Sequence, residues 1–266
     1  MREIIALVRA AWLSELSYRM NMLFSLASLL TMVVPLYFVA TALQPTMVTR
    51  ISAESSQYFA FVLVGATTYT FIAACTSALP SALASAIGKG TLEAFLGTPT
   101  RWGTLFVGMS GYNVLWALVR AIVMLAMGMA LGAQIALHGL VSLMLIVFLL
   151  VLAYGAVGLI GAALLLRYRT TGPLLNGVLT GSALLGGVYY PTYVIPSWLQ
   201  QLSKAMPLSY GLRAARQVAL LGQPFHVVSH DVIILALYVT ALLPAGILCV
   251  AVSLHYARKS GTLGHY

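Results

Sequence analysis

Residues 185–222 read LGGVYYPTYVIPSWLQQLSKAMPLSYGLRAARQVALLG, and their reading decides the fold. Long apolar runs flank them on both sides, whereas this stretch is amphipathic and broken by Pro191, Pro196 and Pro207. Tyr189, Tyr190, Tyr193, Tyr210 and Trp198 are of the types that gather at the membrane–water boundary. Proline opens a helix well, because the N–H it lacks is unpaired in the first turn anyway. Pro196 and Pro207 therefore predict two short helices, 197–205 and 208–221. Periodicity leaves two arrangements open: a helical hairpin dipping against the membrane between two spans, and an ordinary loop carrying a surface helix.

Working outward, the chain has 266 residues, 61% of them hydrophobic and 7% charged. Soluble domains have roughly 45–50% and 25%, and one soluble chain of this size cannot bury the excess. The formal charge of +9 belongs to loops before any nucleic-acid partner is invoked, since cytoplasmic loops collect Lys and Arg. Cys75 and Cys249 both sit in apolar runs and read as small core residues. Ala40-Thr41-Ala42 imitates a signal cleavage site, but the apolar run before it exceeds the about 7–15 residues of such signals. The first span is expected to stay.

Six transmembrane helices are predicted, at about 20–43, 58–87, 114–137, 140–166, 173–190 and 232–256. Residues 1–266 thus read as a single all-α integral membrane domain. Residues 1–18 put Ile4, Ile5, Val8, Ala11 and Trp12 on one stripe, which predicts a helix lying in the inner interface. Residues 44–57 read as an external loop, and 88–101, GKGTLEAFLGTPTR, as an internal polar break. As one helix the apolar run 102–137 would measure roughly 54 Å, against a hydrocarbon core near 30 Å. Its first part is expected to lie along the surface or project inward. Arg120 then falls in the inner third, within snorkelling reach of the headgroups.

Basic residues orient the chain. Arg2, Arg9, Arg19, Lys89, Arg101, Arg167, Arg169, Arg258 and Lys259 fall on one side, and Arg50, Lys204, Arg213 and Arg216 on the other. Nine against four, with an even number of spans, predicts both termini in the cytoplasm. The 185–222 stretch is then external.

Motifs for chemistry are sparse. Gly88-Lys89-Gly90-Thr91 is no phosphate loop, because Ser or Thr must follow the GK directly and Gly90 stands there. Glu3, Glu15, Glu54, Glu93 and Asp231 are scattered and form no paired-carboxylate site, and none lies inside a predicted span. That argues against the buried acid relay of proton-coupled carriers. His226 and His230 have the i, i+4 spacing of a helical metal pair, but no further ligand set completes it, and solvated histidines are the better reading. No catalytic residue and no metal site is assigned.

Two G-x-x-x-G pairs, Gly128/Gly132 and Gly177/Gly181, suit close helix packing. Subunit contact and packing within one subunit both fit, the latter favoured for Gly128/Gly132. Arg120 is a functional candidate by its place in a span, with anchoring the favoured role. Thr31, Thr67, Thr68, Tyr69, Asn176 and Thr180 are polar positions suited to lining a path.

Two stretches carry a resemblance. Gly187, Tyr190, Pro191, Ile195, Pro196, Trp198, Leu199, Gln200, Pro207, Leu208, Tyr210 and Arg216 resemble the region before the last span in permeases of ABC type-2 exporters. Gly90-Thr91-Leu92-Glu93, with Pro99 beyond, is similar to the G-T-L-E…P loop after their second span. Gly88-Lys89 departs from that pattern, where an acidic residue often precedes the glycine.

The resemblance implies an internal coupling helix between spans 2 and 3, in which Gly90, Thr91, Leu92, Glu93 and Pro99 meet an ATP-hydrolysing subunit. It implies an external re-entrant helical hairpin between spans 5 and 6, built on Tyr190, Pro191, Pro196, Trp198, Pro207, Tyr210 and Arg216. Further implications are two separate ATPase subunits holding ATP and Mg, a second copy of the permease, and a place in the cell (inner) membrane. A drug, lipid or lipid-linked glycan would move outward by alternating access. This chain itself would bind no cofactor, catalyse nothing, contact membrane lipid and bind no nucleic acid. A secondary carrier or a membrane-embedded enzyme without an ATPase partner is the alternative.

Overall fold

A computed structural model describes residues 9, 12, 19–91, 102–136, 139–168 and 172–259. Among these the regular structure is entirely helical. The elements are α1 (Arg19–Ile51), α2 (Tyr58–Gly88), α3 (Trp102–Ala130), α4 (Leu140–Tyr168), α5 (Gly172–Leu185), a 3-10 turn (Thr192–Val194), α6 (Ser197–Lys204), α7 (Pro207–Leu221) and α8 (Phe225–Lys259). Helices α1, α2, α3, α4 and α8 are long and apolar enough to cross a membrane.

Helix α2 is the axis of the bundle: 78% of its apolar window is buried within the chain, against 11–33% for the other four. Its composition explains this. The run AACTSALPSALASA carries little side-chain bulk, so neighbouring backbones come close. Pro80 adds a specific contact, because it has no N–H to give the Thr76 carbonyl four residues back. Gly158 of α4 sits on that same carbonyl, and a Cβ added there would lie 2.4 Å from the Thr76 oxygen. Helices α3 and α4 both pack on α2, α1 flanks α2 and α3, and α8 runs along α4. Helix α7 packs on α2, α4 and α8. There Leu208, Leu212 and Val218 complete a core with Leu150, Tyr154 and Leu235.

Several helix ends differ from those expected. Helix α1 runs on to Ile51 through Pro45, so only 52–57 remains of the predicted 44–57 loop. Gln44 shows why the connection is tight: its Oε1 accepts from the Tyr58 N–H at 2.6 Å, and its Nε2 donates to the Ser56 carbonyl at 3.1 Å. Polarity marked where α1 leaves the apolar layer, which is not where the helix stops.

Helix α3 starts at Trp102 and ends at Ala130, instead of spanning 114–137. The chain leaves it at Gly132, whose φ of 97° is open to glycine and strained for other residues. Residues 133–136 then return against α7, with the Ala136 N–H donating to the Ala219 carbonyl at 2.6 Å. Gly132 therefore terminates a helix and is no member of a packing pair. Gly128 does pack within the chain, directly on Leu63 of α2.

This shift moves Arg120. Exposed apolar side chains flank it, with Val107, Leu115 and Leu118 toward Trp102 and Ile122, Met129 and Leu131 toward and just past Ala130. Arg120 thus lies near the middle of this exposed apolar stretch, and not near one end of it as expected.

The fifth predicted span shortens most. Helix α5 has 14 residues, about 21 Å of helix against a core near 30 Å. It stops at Leu185, and the chain turns at Gly186 and Gly187 instead of continuing to 190. Helix α8 begins at Phe225, seven residues before the predicted 232. The two short helices after Pro196 and Pro207 fall where expected, to within a residue.

Candidate functional site

One side chain holds together the end of the bundle that carries the 185–222 hairpin. Arg216 on α7 is 2% exposed and reaches three separate elements. Its Nη1 donates to Glu54 Oε2 in the 52–57 loop at 3.2 Å, and its Nε to the Phe61 carbonyl of α2 at 3.3 Å. Its Nη2 donates to the carbonyls of Gly187 at 3.0 Å and Val188 at 2.8 Å, in the turn after α5. The guanidinium also lies over the Phe61 ring, 3.5 Å from its centroid. Burial pushes its pKa down to about 10, with Glu54 opposing the shift. It therefore stays charged at neutral pH, and charged burial is sustainable only with this full set of acceptors.

Two glycines make the geometry possible. At Gly65, one turn along α2 from Phe61, a Cβ would meet the Val188 oxygen at 2.3 Å and Arg216 Nη2 at 2.5 Å. Gly187 turns the chain with a φ of 74°, aiming its own carbonyl and that of Val188 inward. The Tyr58 hydroxyl donates to the Tyr189 carbonyl at 2.9 Å and secures the far side of the turn.

A second arginine of α7 ties the hairpin to α8. Arg213 Nε donates to Asp231 Oδ2 at 2.8 Å, and Nη2 pairs with Oδ1. The Asp231 carboxylate raises the Arg213 pKa. This bidentate fork fixes angle as well as distance. The remaining hairpin side chains close it on itself. The Tyr190 hydroxyl donates to the Leu184 carbonyl at 2.6 Å, and that of Tyr210 to the Lys204 carbonyl at 2.9 Å. Gln200 Nε2 donates to the Ile195 carbonyl at 2.8 Å. Pro191 and Pro207 are buried, and Pro196 is exposed. Trp198 at 65% and Leu202 at 48% exposure turn outward with Tyr189, Tyr193 and Val194, a composition suited to a membrane boundary.

Of the inner residues expected to couple, Gly90 and Thr91 are described. Gly90 has a φ of 65°, and the Thr91 N–H donates to the Ala86 carbonyl at 3.0 Å, so the pair ends α2 in a capped turn. Leu92, Glu93 and Pro99, and with them the expected coupling helix, lie outside the described residues. So does most of the 1–18 stretch expected to be an interfacial helix; its Trp12 is described and meets the Tyr112 ring edge-on at 5.8 Å. Gly177 and Gly181 have nothing within 4 Å of an added Cβ, so this face of α5 is open. Thr67 and Thr68 line an apolar cavity of about 130 Å³, and Thr67 Oγ1 is buried without a partner among the described residues. Thr31 instead turns its hydroxyl to its own helix, donating to the Ser28 carbonyl at 2.6 Å.

Sequence reasoning had Arg216 in the hairpin but missed its acceptors and the Arg213–Asp231 pair. A signal was present. Glu54 and Asp231 fall on the predicted outer side together with both arginines of α7. Which acid meets which arginine depends on helix packing.

Long apolar helices around a buried axis, with an amphipathic hairpin locked over one end, define a multi-pass membrane protein. The family model of the ABC-2 type transporter matches residues 2–220, and the chain belongs to that family. It is a membrane permease of an ABC transporter, a transport subunit. No curated protein matches the chain.

Arg216→Met leaves Glu54 and three carbonyls buried without their donor, and should destabilise the chain by about 3–5 kcal/mol. Glu54→Gln keeps one acceptor and should cost less, about 1–3 kcal/mol. Thermal melting of the purified chain should show this order, and the double variant should lose less than the two singles together. Parental melting of Arg216→Met would mean that the hairpin is held by something else.

Proposed function

We propose that this chain is the membrane-spanning subunit of an ATP-driven exporter, powered by two separate ATPase subunits and moving a drug, lipid or lipid-linked glycan outward. It works as a homodimer in the cell (inner) membrane, by alternating access of a path between the two copies. Helix α5 completes a sixth crossing together with the turn that follows it, and both termini are cytoplasmic. ATP and Mg belong to the partner subunits.

The observation that carries this reading is what α2 connects. One end of this buried 31-residue helix holds the Arg216 acceptor Phe61, and the other runs through Gly90 and Thr91 toward Leu92 and Glu93. A movement delivered by an ATPase at the inner segment would pass along α2 to the hairpin, because Arg216 ties the two. The coupling helix, with Leu92 in an apolar slot of the ATPase and Glu93 near a basic group or a helix end, is the part of this reading most open to mutation. The open Gly177/Gly181 face is where the second copy would pack, and smooth glycine faces favour close helix contact.

Orientation is tested by labelling in a background without Cys75 and Cys249. Gln201 and Lys89 are exposed, whereas Ser203 is buried and unsuited to a probe. A cysteine at Gln201 should react in intact cells, and one at Lys89 only after permeabilisation. The reverse pattern would sink the orientation and the outward direction with it.

Glu93→Ala removes at most an exposed ion pair, worth about 0–1 kcal/mol, so assembly should persist while coupling weakens. Leu92→Asp loses an apolar contact worth roughly 2–5 kcal/mol and adds desolvation of a charge. It should abolish co-purification of the ATPase and substrate-stimulated hydrolysis, with insertion checked by the labelling above. Retained binding and parental export in that variant would remove this segment as the coupling element.

Gly181→Leu meets open space within the chain, so melting should stay at the parental value while the dimer fraction, read by cross-linking in membranes, falls several-fold. An unchanged dimer fraction would exclude this face as the interface.

A further inference from the structure

A second cavity, of about 260 Å³, lies between α1, α2 and α3, lined by Leu29 and Met32, by Tyr69 and Thr70, and by Ala117 and Arg120. These positions fall near mid-length on all three helices. The Thr70 hydroxyl is taken by its own helix, donating to the Ala66 carbonyl at 2.9 Å. Arg120 has no hydrogen bond or ion pair among the described residues. Glu54 and Asp231, the acids described there, are already held by Arg216 and Arg213.

An arginine does not shed its proton in a protein, so Arg120 brings a full positive charge into the middle of the bundle. Snorkelling does not relieve it. Ala130, the outer end of α3, is ten residues away, about 15 Å along the axis, and the inner end is farther still. Neither is within reach of one side chain. The contrast with α7 is informative, since both arginines there are answered by carboxylates of the chain itself. Among the described residues, Arg120 meets a cavity where the other two have an acid.

We infer that the α1–α2–α3 cavity binds an amphiphile carrying an anionic group, a phosphate, sulfate or carboxylate, which pairs with Arg120 while its apolar part lies against Leu29, Met32 and Ala117. This rests on the transporter reading for its meaning, as it assigns the substrate class of the path, but the binding itself does not depend on an ATPase. A guanidinium matches the oxygens of such a group in bidentate fashion, which an ammonium cannot do. The anion comes either from the cargo or from an acidic membrane lipid, and the chemistry at Arg120 is the same for both.

The full chain is placed in nanodiscs of neutral phosphatidylcholine and titrated with dodecyl phosphate, with dodecyltrimethylammonium as the cationic probe of equal chain length. The parent should bind dodecyl phosphate saturably. Arg120→Gln should weaken this at least tenfold, Arg120→Lys should restore part of it, and the cationic probe should not respond to either change. Ala74→Leu narrows the cavity without touching the charge and should also weaken dodecyl phosphate binding, which keeps the test informative if Arg120→Gln inserts poorly. Competition by added phosphatidylglycerol would identify a membrane lipid as the source of the anion, and its absence the cargo.

Equal binding of the two probes, or an isotherm unchanged in both Arg120→Gln and Ala74→Leu, overturns the site. Failure here with ATPase binding intact would leave the transporter reading standing. Loss of ATPase association with binding intact would do the opposite.

Discussion

A charged guanidinium taken out of water must be met by acceptors on every side, and the half of this protein that carries the hairpin is arranged around that requirement. Arg216 cannot be neutralised at physiological pH, so its burial fixes the positions of Glu54, Phe61, Gly187 and Val188 relative to α7. These residues come from places far apart in the chain, including a loop, a spanning helix and a turn. Gly65 has no side chain because the Val188 carbonyl and the guanidinium occupy that space. Gly187 takes a left-handed conformation because its carbonyl must face inward. One buried charge thus dictates two glycines and the path of the turn after α5.

The same logic runs along α2 in apolar form. A helix buried on all sides in a bundle needs small residues, and α2 supplies Ala, Ser, Thr and Gly over most of its length. Pro80 frees the Thr76 carbonyl, and Gly158 brings the α4 backbone onto it. A carbonyl without its helical partner would be costly in an apolar layer, and close backbone approach shields it. Helix α2 meets α1, α3, α4 and α7, so it joins the two ends of the bundle physically.

Arg120, Arg213 and Arg216 are treated differently. Arg216 and Arg213 are held by carboxylates and by main-chain oxygens. Arg120 faces a cavity at mid-bundle. Charge inside a helical membrane protein is retained where it is answered, and the kind of answer separates structural arginines from one poised to bind.

The sequence by itself determined the class and the local structure. An apolar excess that no soluble core of this size can absorb, together with runs of bilayer length, makes a multi-pass helical protein. Proline positions opened α6 and α7 within one residue, because a missing N–H acts locally. The hairpin motif was legible for the same reason, as its spacings are short. What the tertiary structure decided was every feature in which distant residues meet: Glu54 with Arg216 across 162 positions, Asp231 with Arg213, and Gly158 with Thr76. Helix ends also lay beyond the sequence wherever a polar residue continued a helix past the apolar layer, as Gln44 does in α1. Polarity reports the position of the membrane, while the helix ends only where backbone geometry or a capping partner stops it. That difference moved α3 by a dozen residues at its start, shortened α5, and carried Arg120 from the inner edge to the centre.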